Sequence, residues 1–308
     1  MHEKALQSEN ELDWTFLLEG SQTIATIRRK FIAVYIGILM ITVFVLPAQA
    51  YILRGPHLLE LMTRQYGAAQ TLMVIQNVRF YEPGSAKVLA EAEETLRYLF
   101  PYDFRSDSIS QNATRIHLVS EGRSLTVVDE KIVANQETSF DLYKDILLYR
   151  TRELLKKRLT SLGIDTSLTC LGRYNGRIAI VLGAERPDEP VPQVWVDKET
   201  LQPMRWRLIS DTGETSPAEF EIRYDEWRQV KKTWYPMIIG IYNGGDLERE
   251  IHVKALRVNS SFPRRLFDTQ LMEVQYLQSE AASPDQSVDG ELNEIENTIN
   301  EFRKRIEE

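Results

Sequence analysis

Four histidines, one cysteine and a scatter of acidic residues are the side chains in this sequence best suited to proton, metal or nucleophilic chemistry. His2, His57, His117 and His252 lie far apart, and none has a second histidine or a cysteine three or four positions away, the spacing that sets two ligands on one helix face. A single cysteine, Cys170, excludes an internal disulfide and a cysteine-cluster metal site, and within SLTCLG it reads as a buried strand residue. No glycine-flanked nucleophile serine, phosphate-binding glycine loop or dinucleotide fingerprint occurs. Glu93-Glu94 would point to opposite faces of an extended segment, which argues against a shared acid/base site, and each reads as a solvated charge. The expectation is a protein that binds without catalysis, with no cofactor and no metal.

Charge narrows the ligand further. The net charge of -8 is concentrated at the C-terminal end, where residues 279–308 hold nine acidic residues against three basic ones. The remainder is close to neutral and carries no electrostatic footprint for nucleic acid. With 43% apolar residues over 308 positions, the chain can build a substantial core.

The elements that would position a binding site begin after a polar leader. Arg28-Arg29-Lys30, the apolar run Phe31–Leu46 and Ala48-Gln49-Ala50 are the charged flank, apolar stretch and A-x-A site of a secretory signal peptide. Cleavage after Ala50 is expected, with an uncleaved membrane anchor as the alternative, although the run is shorter than the ~20 residues of a comfortable span. Either outcome carries residues 51–308 across the membrane, into the periplasm. Three parts follow: the leader with its signal or anchor (1–50), a main domain (51–278), and an acidic linker with a C-terminal amphipathic helix (279–308). That last helix carries a seam of Leu292, Ile295, Ile299, Phe302 and Ile306, of which the first four are candidate partner-binding residues.

Within the main domain, Pro56–Tyr66 has the apolar spacing of a short helix with proline in its first turn. Thr71–Tyr81 reads as a strand. Lys87–Phe100 fits both helical and strand periods and is taken as a strand because Pro101 ends it. After it come a turn-rich connection holding Phe104, a strand near Arg115–Ser120, a tight Glu121-Gly122 turn and a strand through Leu125–Val128. Ser139–Gly163 is expected as one helix, capped by Ser139 and ended by Gly163. Asn175-Gly176 predicts a hairpin. Strands follow at Gln193–Val196, Met204–Ile209, Phe220–Tyr224, Tyr235–Tyr242 and Leu247–Val258, with a turn at Asp211–Glu214. In the Phe220 strand, Phe220, Ile222 and Tyr224 share one face, while Glu219, Glu221, Arg223 and Asp225 face water. The fold class is therefore α+β: an antiparallel sheet of about ten to eleven strands, too long to stay flat, its concave face covered by helices.

Several short motifs in this order resemble the periplasmic lipoprotein carriers LolA and LolB and their relatives. They are P-x-x-F (Pro101 to Phe104), the turn Ser120-Glu121-Gly122-Arg123-Ser124-Leu125, Trp195-Val196-Asp197, Tyr224-Asp225-Glu226-Trp227 and Tyr235-Pro236, over about residues 56–268. The resemblance implies a LolA-like fold, an incomplete, half-open antiparallel β-barrel whose cavity holds acyl chains of a lipoprotein or other lipid, moved from an inner-membrane donor toward an outer-membrane acceptor. Tyr98, Phe100, Phe104, Trp206, Phe220, Ile222 and Tyr224 are the candidate lipid-binding residues. In that family an arginine directly before the proline helps hold the closed state. This sequence has Phe100 there, with Arg97 or Arg105 as candidate substitutes. A regulatory module on the same scaffold, binding a lipoprotein or a membrane signalling partner, is the alternative.

Overall fold

Alternation is the rule that makes the sheet. In β1 (Thr71–Tyr81) every second side chain from Leu72 through Val74, Gln76, Val78 and Phe80 is buried, because successive residues of a strand face opposite sides. A computed structural model describes residues 52–210 and 218–281. The leader and signal segment, the Asp211–Glu214 turn and the seam of Leu292, Ile295, Ile299 and Phe302 lie outside the described residues.

The first six strands run as a meander: β1, β2 (Val88–Leu99), β3 (Asp103–Ser110), β4 (Thr114–Ser120), β5 (Arg123–Val128) and β6 (Lys131–Ala134). Seven more form a second one: β7 (Thr169–Tyr174), β8 (Arg177–Leu182), β9 (Gln193–Asp197), β10 (Pro203–Ser210), β11 (Ala218–Val230), β12 (Thr233–Asn243) and β13 (Asp246–Val258). The two join where β1 pairs antiparallel with β13, giving one thirteen-stranded sheet with β6 and β7 at its edges. The sheet is open, and thirteen strands exceed the ten or eleven expected.

Two of the extra strands were hidden by composition. Asp103–Ser110 is rich in turn-forming Ser and Asp, yet it pairs with β2 and β4 along its length. Ser106 and Ser108 face inward and are buried, Ser106 donating to the Glu94 carboxylate, so turn chemistry loses to the ladder. β6 has only four residues. The Asn175-Gly176 turn is as expected, with φ of 48° and 79°, both in the region that two-residue hairpin turns require.

The connection from β6 to β7 must travel from one edge of the sheet to the other, and it crosses the concave side. It holds a 3-10 turn at Ser139–Lys144, then α2 (Asp145–Leu148) and α3 (Arg152–Ser161), and is called the lid below. The single helix expected over Ser139–Gly163 is thus broken. Thr151 adopts extended backbone and caps α3, its Oγ1 accepting from the Leu154 amide at 3.3 Å. Ser139 is not a cap, since Thr138 holds that position. Beside the lid lies α1 (Gly55–Gln65), which buries Leu58, Leu59 and Met62 against the same concave core. α1 is followed by Gly67 at φ +83°, where an added Cβ would lie 2.1 Å from the Lys232 carbonyl oxygen.

The convex face is not uniformly wet. A 3-10 turn (Arg264–Phe267) and α4 (Thr269–Ala281) cover Leu118, Leu125 and Val127 with Phe267 and Met272. The helix runs through Ala281, so the stretch from Ser279 does not begin as a linker. Glu221, expected to face water, is 5% exposed and pairs with Arg205 and Arg223 on the same face.

Candidate functional site

The seven candidate lipid-binding residues gather on the concave face, as side chains of a packed core. Tyr98, Phe104, Trp206, Ile222 and Tyr224 are buried, and Phe100 and Phe220 are partly buried against the same cluster. Tyr98 is the hub: its ring meets Phe100 at 5.4 Å, Phe104 at 5.0 Å and Tyr235 at 6.2 Å between centroids. Its hydroxyl is 3.0 Å from that of Tyr235. β2 and β12 are separated by β1 and β13, so a flat sheet would hold these strands ~14 Å apart. Two tyrosines meeting tip to tip across that interval lean toward each other over β1 and β13, as a curved floor favours. On the far side, Trp227 stacks on Tyr66 of the turn after α1 and packs on Tyr224.

Lid residues close over this floor. Leu142, Ile146, Leu147, Leu148, Leu155 and Leu159 are all buried in the shared core. The backbone break at Tyr149–Thr151 positions Arg150, whose guanidinium lies 3.4 Å from the Phe100 ring centroid. Arg150 also donates to the carbonyls of Leu147 at 3.2 Å and Tyr66 at 3.3 Å. Burial lowers its pKa to about 10, opposed by Tyr98 and Tyr66. This one side chain therefore ties the lid to α1 and to the strand that precedes Pro101. Arg97 and Arg105, the candidate substitutes, instead bind Asp107, because their positions in β2 and β3 face outward. The arginine at this contact comes from the lid, in a segment where the sequence showed only helix.

A second tie is ionic. Lys144, fully buried, bonds Asp145 at 2.7 Å and Glu137, and Arg158 bonds Glu137 and Asp145 at 2.6 Å each. Arg115 of β4 reaches Asp141 at 2.6 Å. Burial alone would raise the Asp141 carboxyl, but Arg115, His117 and Lys144 together more than offset it and hold the group below the usual carboxylate range. Burial would likewise lower Lys144, and Asp145 with Glu137 reverse that, leaving it above its ordinary value. Next to them sits His117, whose Nδ1 is 2.9 Å from Thr126 Oγ1. Burial pushes His117 down to about 4, with Asp141 opposing. Glu94, read as a solvated charge, is 4% exposed and accepts from Gln76, Ser106 and Tyr143. Its neighbour Glu93 does face solvent, where it meets Lys254 at 3.4 Å.

These polar residues were missed, although a signal for them exists. Gln76, Arg115, His117 and Arg249 occupy inward positions in strands whose other inward residues are apolar. A cleft of about 650 Å³ opens beside the cluster, lined by Glu137, Arg158, Leu142, Tyr149 and Leu162 of the lid, by β5 and by Glu273 of α4. Among the described residues no group of three His, Cys, Asp or Glu is placed to hold a metal ion.

A curved, open antiparallel sheet with an edge-to-edge helical crossover in its concavity defines the class: the chain has the fold of an outer membrane lipoprotein-sorting protein domain. Solved structures of that kind resemble it along most of its length. A domain from Vibrio parahaemolyticus described as an outer membrane lipoprotein-sorting protein domain superposes with a TM-score of 0.50 at 10% identity, over 71% of this chain and 98% of that one. A LolA superfamily protein from Nitrosomonas europaea gives 0.49 at 11% identity, covering 71% and 99% of the two chains. A DUF1329 family protein from Desulfovibrio piger gives 0.49 at 11%, covering 71% and 97%. At such identities the likeness is one of fold. No family model matches the sequence, and no curated protein matches it.

Proposed function

We propose that this protein is a periplasmic carrier that takes acyl chains of a lipoprotein or other lipid between its curved sheet and its lid, and moves them toward the outer membrane without catalysis. The observation that carries this reading is the lid itself, a largely apolar segment laid across the floor and held to it by a few polar ties, at Arg150 and at Arg115–Asp141. Six buried aliphatic lid side chains contribute on the order of 10–15 kcal/mol of burial, so lifting the lid into water is costly unless something apolar replaces it. An acyl chain of about sixteen carbons, at ~0.8 kcal/mol per methylene, contributes about as much. The exchange is then nearly neutral, as loading and release both require.

Mass spectrometry of the purified chain, together with lipid extraction from donor membranes, tests the reading. Acyl lipid in stoichiometric amount is expected. A chain that neither retains nor extracts any lipid refutes the carrier.

A second reading, an interaction module on the same scaffold, is favoured by one observation. Leu271, Val274 and Leu277 of α4, three residues apart, are about half exposed in a stripe on the helix that leads toward Leu292, Ile295, Ile299 and Phe302. Replacing Leu271, Val274 and Leu277 by serine separates the two: a carrier keeps its lipid, whereas an interaction module loses its partner in a pull-down.

A further inference from the structure

The concave floor is chemically divided. Across β8–β12 it is built of Ile180, Val196, Trp206, Ile222 and Ile239, all apolar apart from the indole N–H. Toward β1–β5 and β13 it turns polar, with Gln76, Glu94, Arg115, His117 and Arg249 buried on the same side. A site for bare hydrocarbon has no use for that second half.

Arg249 is the residue that does not fit a closed, self-sufficient core. It is 3% exposed and lies on the concave side of β13, paired across the ladders with Phe80 and Ile241. Among the described residues no carboxylate comes within 4.0 Å of it, its Nε has no hydrogen-bond partner, and its Nη2 donates to the Phe140 carbonyl of the lid. Its guanidinium faces the Phe140 ring at 3.7 Å and the Tyr143 ring at 5.1 Å. Arg115 approaches the same Phe140 ring from β4 at 4.9 Å. Burial lowers the Arg249 pKa, as expected for a charge removed from water without a counter-ion. Two floor arginines thus face one lid turn, which offers them a carboxylate on Asp141, a carbonyl on Phe140 and an aromatic ring. These are the groups with which a protein segment can imitate an anion.

We infer that Arg249 and Arg115 form a receptor for the anionic headgroup of an amphiphile, which the Phe140–Asp141 turn occupies while the lid is closed. The inference rests on the carrier reading and sharpens it: acyl chains take the apolar half of the floor, and a phosphodiester or carboxylate takes the polar half. The floor there carries Arg115 and Arg249 against Glu94, one positive charge in excess. Displacement of Asp141 leaves that excess for the ligand. Guanidinium forks suit such oxyanions because they bind them through paired N–H donors.

Loading from donor vesicles tests this, with phosphatidylglycerol compared against phosphatidylcholine of the same acyl chains and bound lipid counted by mass spectrometry. The chain's net charge of -8 works against general attraction to the anionic vesicles. A preference for phosphatidylglycerol of about tenfold is expected, the scale of one charge-assisted contact. Arg249→Met should bring the ratio toward one, and Arg249→Lys, which keeps the charge, should retain most of it. Equal loading of the two lipids by the wild-type chain, or a ratio unmoved in Arg249→Met, overturns the headgroup receptor and leaves the carrier standing. No loading of either lipid overturns the carrier, and the receptor with it. An Arg249-dependent rise in melting temperature with inorganic phosphate alone would assign the site to a free anion and overturn the amphiphile.

Discussion

Lowering the pH from 7 to 5 should destabilise this protein chiefly through His117. The ring is fully buried, faced by Asp141, Glu137 and Lys144 from the lid side, by Arg115 on its own strand, by Thr126 of β5 and by Phe104 of β3. Its pKa falls from 6.5 to about 4 on folding, mainly through burial. The sign follows directly. Below pH 6.5 the unfolded chain takes up a proton that the folded chain refuses until about pH 4, so stability declines across that window as pH falls. The whole interval corresponds to about 3 kcal/mol, of which about 2 kcal/mol lies between pH 7 and 5. Asp141 and Glu137, held low in the folded state, lose their contribution only at lower pH and leave this window largely to the histidine. Urea unfolding followed by tryptophan fluorescence at the two pH values measures the loss. His117→Asn, whose amide can keep the Thr126 contact, should flatten the profile by about the same 2 kcal/mol. An equal pH 7-to-5 loss in wild type and His117→Asn would refute the reasoning.

Removal of the latch by Arg150→Ala should cost about 1–3 kcal/mol through the lost ring stack and two carbonyl bonds, with faster hydrogen exchange confined to the lid. Phe100→Arg should set two guanidiniums against each other and open the lid further, and the double exchange Phe100→Arg/Arg150→Phe should recover part of the loss. A strictly additive double-mutant cycle would show that the two residues do not act as a latch. Gly67→Ala should lower stability by at least about 2 kcal/mol in urea melts, since both its φ of +83° and the 2.1 Å approach to Lys232 oppose a Cβ.

Strand periodicity carried most of the fold. β1, β8, β12 and β13 were readable because their inward residues are mainly apolar and their turns carry Asn or Gly, as at Asn175-Gly176. β3 was not, because its inward residues after Phe104 are Ser106 and Ser108, which local composition assigns to a loop and only the buried Glu94 network explains. The lid was legible as helical and illegible as hinged, since the break is held by Arg150 reaching carbonyls and a ring distant in sequence. The aromatic half of the floor was visible in Tyr98, Trp206 and Tyr224. The charged half was hidden, because a buried arginine or histidine looks like a surface residue until its neighbours in the strand are seen to face inward.

The pairing of β1 with β13 sets when this sheet can be completed. Leu72 lies opposite Val258, so the central ladder joins stretches from near the two ends of the described residues. Each meander can zip from its own short turns, whereas the seam between them must close a loop of nearly the whole domain, the slowest kind of contact to form. Until that last strand arrives, both β1 and β12 present an unpaired edge beside apolar surface. A chain made from its N-terminus therefore spends its synthesis with the middle of its sheet open, and a partner that shields strand edges would be needed most at that stage.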